Sequence, residues 1–363
     1  MKKVFCLFAA MALGLSLMGA APGYAMGSFS PVSGVEAMYA VGEDGTLWTT
    51  EYGNGDWAEF VGPNVDPIDY PDALSYHIDN VVSVAAEQFA SFAIDEDHVL
   101  WGWGGNLFGQ LPGMEPGQGG VIKIMEGVRS VSPSSQTCLA IKEDGSLWAW
   151  GPNLLPTQIM DDICSAQGAG RSFALAKDGT LSCWLHRDIV DGTFKPKKVA
   201  GNVKTFSAGY SDLVLVKQSG EFLFMDFGNE MPGPRSEVIK VPEFDHTKYC
   251  GDQLVITQDN KLYCWFYDES LPNKEDRFQI TFLMDDVVYA AQSLTSALAV
   301  TSSQELWEIP LWLDENREYR HEEARRVETP GKIMEPVIPY PEKGTDSGIF
   351  IMVGSGAAVA ALA

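Results

Sequence analysis

The sequence lacks the residue patterns that mark several common catalytic sites. It contains no H-E-x-x-H, no G-x-S-x-G and no G-x-x-x-x-G-K-[ST] segment. Its cysteines never occur as C-x-x-C, which excludes the usual spacing of a structural zinc site. The five histidines are dispersed at positions 77, 98, 186, 246 and 321. The sequence therefore predicts neither a cofactor nor a metal site nor catalytic residues, and it favours a protein without enzyme activity.

Basic residues are few. The chain has 25 Lys and Arg side chains against 49 Asp and Glu, which gives a formal net charge of −24. A surface of this sign repels phosphate backbones, so nucleic acid is not an expected partner. The excess of carboxylates fits either a solvated surface or a cationic partner.

Cysteine is also scarce, and the chain beyond its N-terminal apolar segment contains an odd number of cysteines. Cys6 lies in the N-terminal apolar segment, which leaves five cysteines. An odd number argues against a complete disulfide framework. Cys183 and Cys264 precede tryptophans at the repeat position that Ala149 occupies elsewhere, which favours small buried packing residues.

The N-terminus has the composition of an export signal. Lys2 and Lys3 are followed by an apolar run over residues 4–18 and by small residues up to Ala25. This order predicts a signal peptide at residues 1–25, and hence a secreted or cell-surface protein. Its removal would leave 23 basic and 49 acidic side chains.

A short pattern recurs along the remainder of the chain. A polar turn, often Asp-Gly as at Asp144-Gly145 and Asp178-Gly179, precedes a leucine or phenylalanine. Asp-Gly between apolar runs is a hairpin signal, because both residues tolerate positive φ. The residue after the turn falls at positions 47, 100, 147, 181, 222, 262 and 306. A repeat of about 40 residues with several short strands is typical of propeller blades and predicts an all-β fold.

One repeat carries a longer motif. Its residues 103–111 resemble the W-G-x-N-x-x-G-Q-L motif of the regulator-of-chromosome-condensation repeat family, here in a bacterial, secreted form. The resemblance covers residues 32 to about 356 and implies a seven-bladed β-propeller whose ring is closed by N- and C-terminal strands. The matching residues, which we expect to be structural, are Trp103, Gly104, Asn106, Gly109, Gln110 and Leu111, together with the turn residues Asp144, Gly145, Asp178 and Gly179.

The expected organisation is a signal peptide at 1–25, a propeller at 26–348 and an apolar tail at 349–363. The tail has two interpretations. It could supply closing strands, or it could be part of a membrane anchor, although 16 residues from Gly348 would span only about 24 Å as a helix. The chain would contact a membrane only in the second case.

Two segments stand out as candidate contact surfaces. Aromatic side chains on ordered loops are frequent binding anchors, and their alternative role is to cover the open end of a blade. A predicted loop over residues 49–80 and a charged segment over 314–328 both carry aromatic residues. In the second segment Glu and Arg recur at three- and four-residue spacing, which predicts a short exposed helix. The candidate binding residues are Tyr52, Trp57, Phe60, Tyr70, Trp312 and Tyr319.

We therefore expect a monomeric, exported binding scaffold that recognises a protein or a glycan through blade loops on one face. The first alternative is a polysaccharide-acting enzyme with paired carboxylates in the central channel. The second is a structural protein anchored at the cell surface by its tail. Two inward carboxylates within about 5–10 Å of each other would support the enzyme, whereas a channel filled with apolar side chains would argue against it.

Overall fold

The structure is a computed structural model. It describes residues 29–31, 38–42, 44–50, 57–59, 78–87, 90–115, 120–134, 137–168, 170–228, 230–233, 236–251, 253–268, 271–273, 277–292, 296–314, 319–329 and 332–333. The predicted signal peptide and the apolar tail lie outside these residues.

The described strands form antiparallel sheets in which neighbouring strands follow each other in the sequence. The N-terminal sheet contains β1 (Phe29–Pro31), β2 (Met38–Val41), β3 (Leu47–Thr50) and β4 (Trp57–Glu59). Blade 1 contains β5 (Val81–Glu87), β6 (Ala90–Asp95), β7 (Leu100–Trp103) and β8 (Val121–Met125). Blade 2 contains β9 (Val128–Ser132), β10 (Cys138–Lys142), β11 (Leu147–Gly151) and β12 (Leu154–Met160).

The remaining sheets repeat the same order. Blade 3 contains β13 (Ile163–Gly168), β14 (Ser172–Ala176), β15 (Leu181–Trp184), a short helix α1 (His186–Val190) and β16 (Lys197–Ala200). Blade 4 contains β17 (Val203–Ala208), β18 (Asp212–Lys217), β19 (Phe222–Asp226) and β20 (Glu237–Lys240), and a 3-10 turn (Pro242–Phe244) follows it. Blade 5 contains β21 (Tyr249–Gly251), β22 (Leu254–Ile256), β23 (Leu262–Tyr267) and β24 (Phe278–Met284). Blade 6 contains β25 (Val287–Gln292), β26 (Ser296–Thr301), β27 (Leu306–Leu313), β28 (Tyr319–His321) and β29 (Arg325–Arg326).

This arrangement is an all-β propeller, as predicted, but the blade count needs correction. Six blades follow one another from Val81 to Arg326, and a sheet of shorter strands at the N-terminus is added to them. The family resemblance implied seven blades, and the seven turn positions agreed with that number. The turn after β2 has the same Asp-Gly pair as the turns of blades 2 and 3 although its sheet is shorter, so turns alone could not separate the two cases.

The core lies in the seams between neighbouring blades. Phe92 of blade 1 meets Trp150 of blade 2 edge to face, with ring centroids 6.2 Å apart. Phe224 of blade 4 and Trp265 of blade 5 repeat the arrangement at 5.3 Å. Each fully buried large side chain contributes roughly 1.5–3 kcal/mol, and no blade could bury its faces alone.

One face of the propeller, called the turn face here, carries the turns between the second and third strands. Seven turn residues have positive φ, which explains the use of glycine at Gly145 (φ 88°) and Gly179 (φ 82°). Each turn carbonyl accepts a hydrogen bond from an N–H further along the chain, for example from Ile163 to Gly145 at 3.0 Å. The seven turn residues are Gly45, His98, Gly145, Gly179, Gly220, Asn260 and Gln304, and their respective donors are Val81, Val128, Ile163, Val203, His246, Val287 and Ile333.

The N-terminal sheet lies between blade 6 and blade 1. Its Ala40 and Trp48 join the core of blade 6, whereas Val41 and Leu47 join that of blade 1. Ile333 also reaches this sheet, where it forms an isolated antiparallel bridge with Gly42. Segments from both ends of the described chain therefore meet in one sheet.

Two local predictions were wrong. Trp57 lies in strand β4, inside the segment predicted as one loop. Tyr319 and Arg325 lie in strands that pair with β27, where a helix was predicted. The backbone N–H and C=O groups of β27 offer an edge for antiparallel pairing, and this contact outweighs the helical spacing of Glu and Arg. None of the helices in the part of the chain that the structure describes is long and apolar enough to cross a membrane.

Candidate binding face

The opposite face, called the loop face here, carries the connections between first and second strands and between third and fourth strands. The motif at residues 103–111 lies in one of these connections. Asn106 is 2% exposed, and its Oδ1 accepts a hydrogen bond from the N–H of Leu111 at 2.7 Å. Its Nδ2 donates to the carbonyls of Leu111 and Met114. One side chain thus satisfies three backbone groups and closes the loop on itself.

The other motif residues anchor this loop. The N–H of Phe108 donates to Gln110 Oε1 at 3.0 Å, and the indole N–H of Trp150 in blade 2 donates to the Gln110 carbonyl at 2.6 Å. Trp103 is buried and donates to the Tyr39 hydroxyl at 3.0 Å. Leu111 is buried in the core, and Gly104 and Gly109 have positive φ. These contacts give the motif a structural role in the loop.

The same loop holds two large apolar side chains in solvent. Leu107 is 56% exposed and Phe108 is 44% exposed. They occupy the two positions between Asn106 and Gly109, so the buried motif residues fix them from both sides. Exposing large apolar side chains to water is unfavourable. A loop that buries its polar residues and exposes its apolar ones is therefore typical of a contact site.

Neighbouring blades carry further exposed apolar side chains on this face. A Cβ on Gly109 would lie 3.5 Å from the Gly151 carbonyl oxygen of blade 2, and Leu155, four residues further along the chain, is 73% exposed. The imidazole of His186, at the start of α1, lies 2.9 Å from the Pro152 carbonyl. Its other ring nitrogen lies 2.9 Å from the Thr137 hydroxyl. Val190, at the end of the same helix, is 40% exposed.

Blade 4 adds an aromatic side chain. Arg171 of blade 3 donates to the Tyr210 carbonyl at 3.0 Å, and its guanidinium lies 5.0 Å from the centre of the Phe227 ring. Tyr210 itself is 43% exposed and covers Gly170, where any Cβ would lie 2.7 Å from its ring. The apolar arc is defined here as Leu107, Phe108, Leu155, Val190 and Tyr210.

The structure describes only part of the residues predicted as binding anchors. Trp312, near the end of β27, is 45% exposed. Trp57 and Tyr319 lie in strands β4 and β28, and their side chains are outside the described part of the structure. Tyr52, Phe60 and Tyr70 are also outside the described residues. The arc was missed, because only the position of Leu107 and Phe108 inside the motif could have indicated it.

The first strands that the structure describes do not bring two carboxylates together in the channel, as a glycosidase would need. Among the described first strands, which lie innermost, Glu87 at the end of β5 is the one acidic residue. No group of three or more His, Cys, Asp or Glu in the described residues could hold a metal ion.

Carboxylates do meet at the loop-face end of blade 4. Asp212 pairs with Asp226, and Asp226 pairs with Glu237, so three acidic residues stand side by side across three strands. Burial, and then the charge of Asp226, raise the pKa of Asp212 to about 6. Arg277 of blade 5 faces this row, with its Nη1 3.6 Å from Glu237 Oε2.

Cys183 and Cys264, which were predicted to be packing residues, are buried, and so are Cys138, Cys164 and Cys250. Burial raises the pKa of Cys183 to about 11 and that of Cys264 to about 12. Such thiols are protonated and inert at neutral pH.

Comparison with known proteins supports the fold. No protein-family model matches the chain, and no curated protein matches its sequence. The crystal structure of Prp20p from Saccharomyces cerevisiae, described with its binding to Gsp1p and histones, is 14% identical with a TM-score of 0.55. The alignment covers 86% of this chain and 88% of Prp20p. Hsv2 from Kluyveromyces lactis is 8% identical with a TM-score of 0.53, over 84% of this chain and 100% of Hsv2.

Identities this low establish the fold alone. Prp20 is the yeast RCC1, a namesake of the repeat family that the motif at residues 103–111 resembles. The chain is a β-propeller, and its solved structural neighbours include a protein of that name.

Proposed function

We propose that this chain is an exported, non-enzymatic scaffold that binds another protein through its loop face. The observation that carries the proposal is the apolar arc. Of the eight large apolar side chains exposed in the described residues, five form the arc, Val238 and Trp312 lie near the loop-face ends of β20 and β27, and only Phe282 lies toward the turn face. An apolar surface gathered on one face marks an interaction site, whereas scattered exposed residues do not.

The chemistry of the arc favours a protein over a glycan. Leu107, Leu155 and Val190 are aliphatic, and aliphatic side chains gain from contact with apolar protein side chains rather than with hydroxyl groups. The description of Prp20p binding Gsp1p and histones supports protein recognition by a ring of this fold. The net charge of −24 adds a preference for a cationic partner.

The test is capture of a partner from the native extracellular medium. We expect one protein to bind the mature chain in stoichiometric amount. The variant Leu107→Ser/Phe108→Ser should weaken that complex about 30- to 1,000-fold, because buried apolar anchors contribute about 2–4 kcal/mol at an interface. Titration by calorimetry or surface plasmon resonance measures the change.

Phe282→Ser is the matched control, since Phe282 is 43% exposed on the outermost strand of blade 5, away from the arc. Binding that survives the double substitution, or that falls equally in the control, would exclude the arc as the site.

Export and ring closure belong to the same proposal. An exported scaffold must close its ring without help from a partner, and the bridge between Ile333 and Gly42 supports closure through the N-terminal sheet. We expect amino-terminal sequencing of the protein from the culture medium to begin at Met26. Recovery of a chain that retains residues 1–25 inside the cell would contradict export.

A further inference from the structure

One arginine on the loop face is buried without a carboxylate partner among the described residues. Arg171 lies in the connection between the first two strands of blade 3 and is 8% exposed. Its Nη1 donates to the Tyr210 carbonyl, whereas its Nε–H is buried and has no hydrogen-bond partner in the part of the chain that the structure describes. A buried charge is unfavourable unless an opposite charge or further hydrogen bonds offset the loss of water. The guanidinium is therefore incompletely satisfied.

No described carboxylate supplies the missing charge. Burial lowers the pKa of Arg171, and the groups that oppose this effect are Tyr210 and Cys183 rather than an Asp or Glu. None of the ion pairs between described residues includes Arg171, although the chain has 49 acidic side chains. The positive charge of Arg171 is therefore not neutralised within the described structure.

A second cation lies near the first. Lys197 is the first residue of β16, at the loop-face end of blade 3, where it pairs in register with Cys183 of β15. Lys197 is exposed, and its Nζ reaches across the seam to blade 4, where a Cβ on Gly233 would lie 3.0 Å from it. Burial raises the pKa of Cys183, and Lys197 and Arg171 both oppose this rise. Both positive charges therefore lie close to this one buried thiol.

Aromatic rings border the two cations. The Arg171 guanidinium lies over the Phe227 ring, 5.0 Å from its centre, so the ring covers one face of the guanidinium plane. The Tyr210 ring lies against Gly170 and is 43% exposed. The seam site is defined here as Arg171, Lys197, Tyr210 and Phe227. Because Tyr210 also belongs to the apolar arc, a partner that covers the arc reaches the seam site as well.

We propose that the seam site binds a carboxylate of the partner protein, from an aspartate or glutamate side chain. A planar guanidinium presents parallel N–H groups along one edge and matches a carboxylate in a bidentate pair, to which Lys197 adds a point charge. Of the two aromatic neighbours of Arg171, Phe227 is buried and Tyr210 is exposed. We therefore expect the Tyr210 ring to move aside when the carboxylate reaches the covered Nε–H.

This inference rests on the proposed function and specifies one chemical group of the partner. The net charge of −24 favours a partner that is cationic as a whole. At the seam site the preference is reversed, because an acid there meets two positive charges and a base there is repelled by both. A cationic partner must therefore place an acidic side chain at this point, which discriminates it from a uniformly basic one.

Two synthetic peptides with blocked termini and the same apolar residues test this. One carries two glutamates, and the other carries two glutamines at the same positions. Binding of the dye-labelled peptides to the mature chain is measured by fluorescence anisotropy at about 0.15 M salt, where the Debye length is about 8 Å. We expect the glutamate peptide to bind about 10-fold more tightly than the glutamine peptide, as one charge-assisted pair would give.

Three variants locate the effect. Arg171→Gln should abolish the preference for the glutamate peptide, and thermal unfolding checks that this variant is folded. Lys197→Gln changes an exposed side chain, so it leaves the core intact, and it should lower the preference about 3-fold. Lys198→Gln is the matched control. It removes the same charge from the next residue, whose Nζ lies toward the turn face, 3.5 Å from the place of a Cβ on Gly201.

Several outcomes would overturn the inference. Equal binding of the two peptides would do so, as would an equal effect of Lys197→Gln and Lys198→Gln or a glutamate peptide that binds more weakly than about 1 mM. A uronic-acid oligosaccharide that binds more tightly than the glutamate peptide, and loses this affinity in Lys197→Gln, would assign the site to a glycan instead.

Partner capture separates this inference from the proposed function. If Leu107→Ser/Phe108→Ser loses the captured protein while Lys197→Gln retains it at full affinity, the binding face stands and only the seam site is wrong. If the variant of Leu107 and Phe108 retains the captured protein, the proposed function fails, whatever the two peptides show.

Discussion

Replacing Asn106 with leucine is expected to lower the free energy of unfolding by about 3–5 kcal/mol. The substitution leaves three buried backbone groups of Leu111 and Met114 without their hydrogen bonds, and each such group costs about 1–3 kcal/mol. It also forces a branched side chain into a positive φ of 51°, which asparagine tolerates and leucine does not. Urea unfolding followed by tryptophan fluorescence measures the loss.

Asn153→Leu is the control for this measurement. Asn153 has a φ of 58° at the corresponding place in blade 2, but it is exposed. Its replacement carries the backbone strain without the buried hydrogen bonds and should cost only about 1–2 kcal/mol. Equal losses in the two variants would mean that the Asn106 side chain does not hold the loop.

The second large effect concerns Asp212 and pH. Its pKa is raised to about 6 in the folded state, so the neutral form is favoured there. Its contribution to stability is therefore fully present below the unfolded-state pKa of about 3.9 and is lost as pH rises through about 6. The loss amounts to about 2–3 kcal/mol. Asp212→Asn should remove it, so the variant should exceed the parent in stability at pH 8 and match it near pH 4.

Urea unfolding of the parent and the variant at one-unit steps from pH 4 to pH 8 measures this difference. Asp97→Asn, which makes the same chemical change at an exposed position on the turn face, is the control. A parent and an Asp212→Asn variant whose stabilities run parallel over the whole range would show that the carboxyl is not perturbed.

The fold was largely predictable from the sequence, because the turns repeat a local rule. An Asp-Gly pair predicts a residue with positive φ, and Gly145 and Gly179 both have positive φ. His98 and Gln304 fill the same turn position with φ near 60° although their sequences give no such sign. There the blade-to-blade hydrogen bonds impose the backbone, so only the spacing of the repeat predicts it.

The binding face was less predictable, for two physical reasons. Exposure of Leu107 and Phe108 depends on the buried contacts of Asn106, which a sequence shows only as a motif. The row formed by Asp212, Asp226 and Glu237 depends on strand register, since a shift of one residue would turn a side chain to the other face. Register is set by packing between blades and cannot be read from one strand.

The meeting of Ile333 with the N-terminal sheet also sets an order of events during synthesis. The sheet at Gly42 is made early, but its neighbour on one side arrives only when residues near 333 leave the ribosome. Until then the apolar side chains of Ala40 and Trp48, which finally join the core of blade 6, have no blade to cover them. A chain of this kind completes its fold only after most of it has been made.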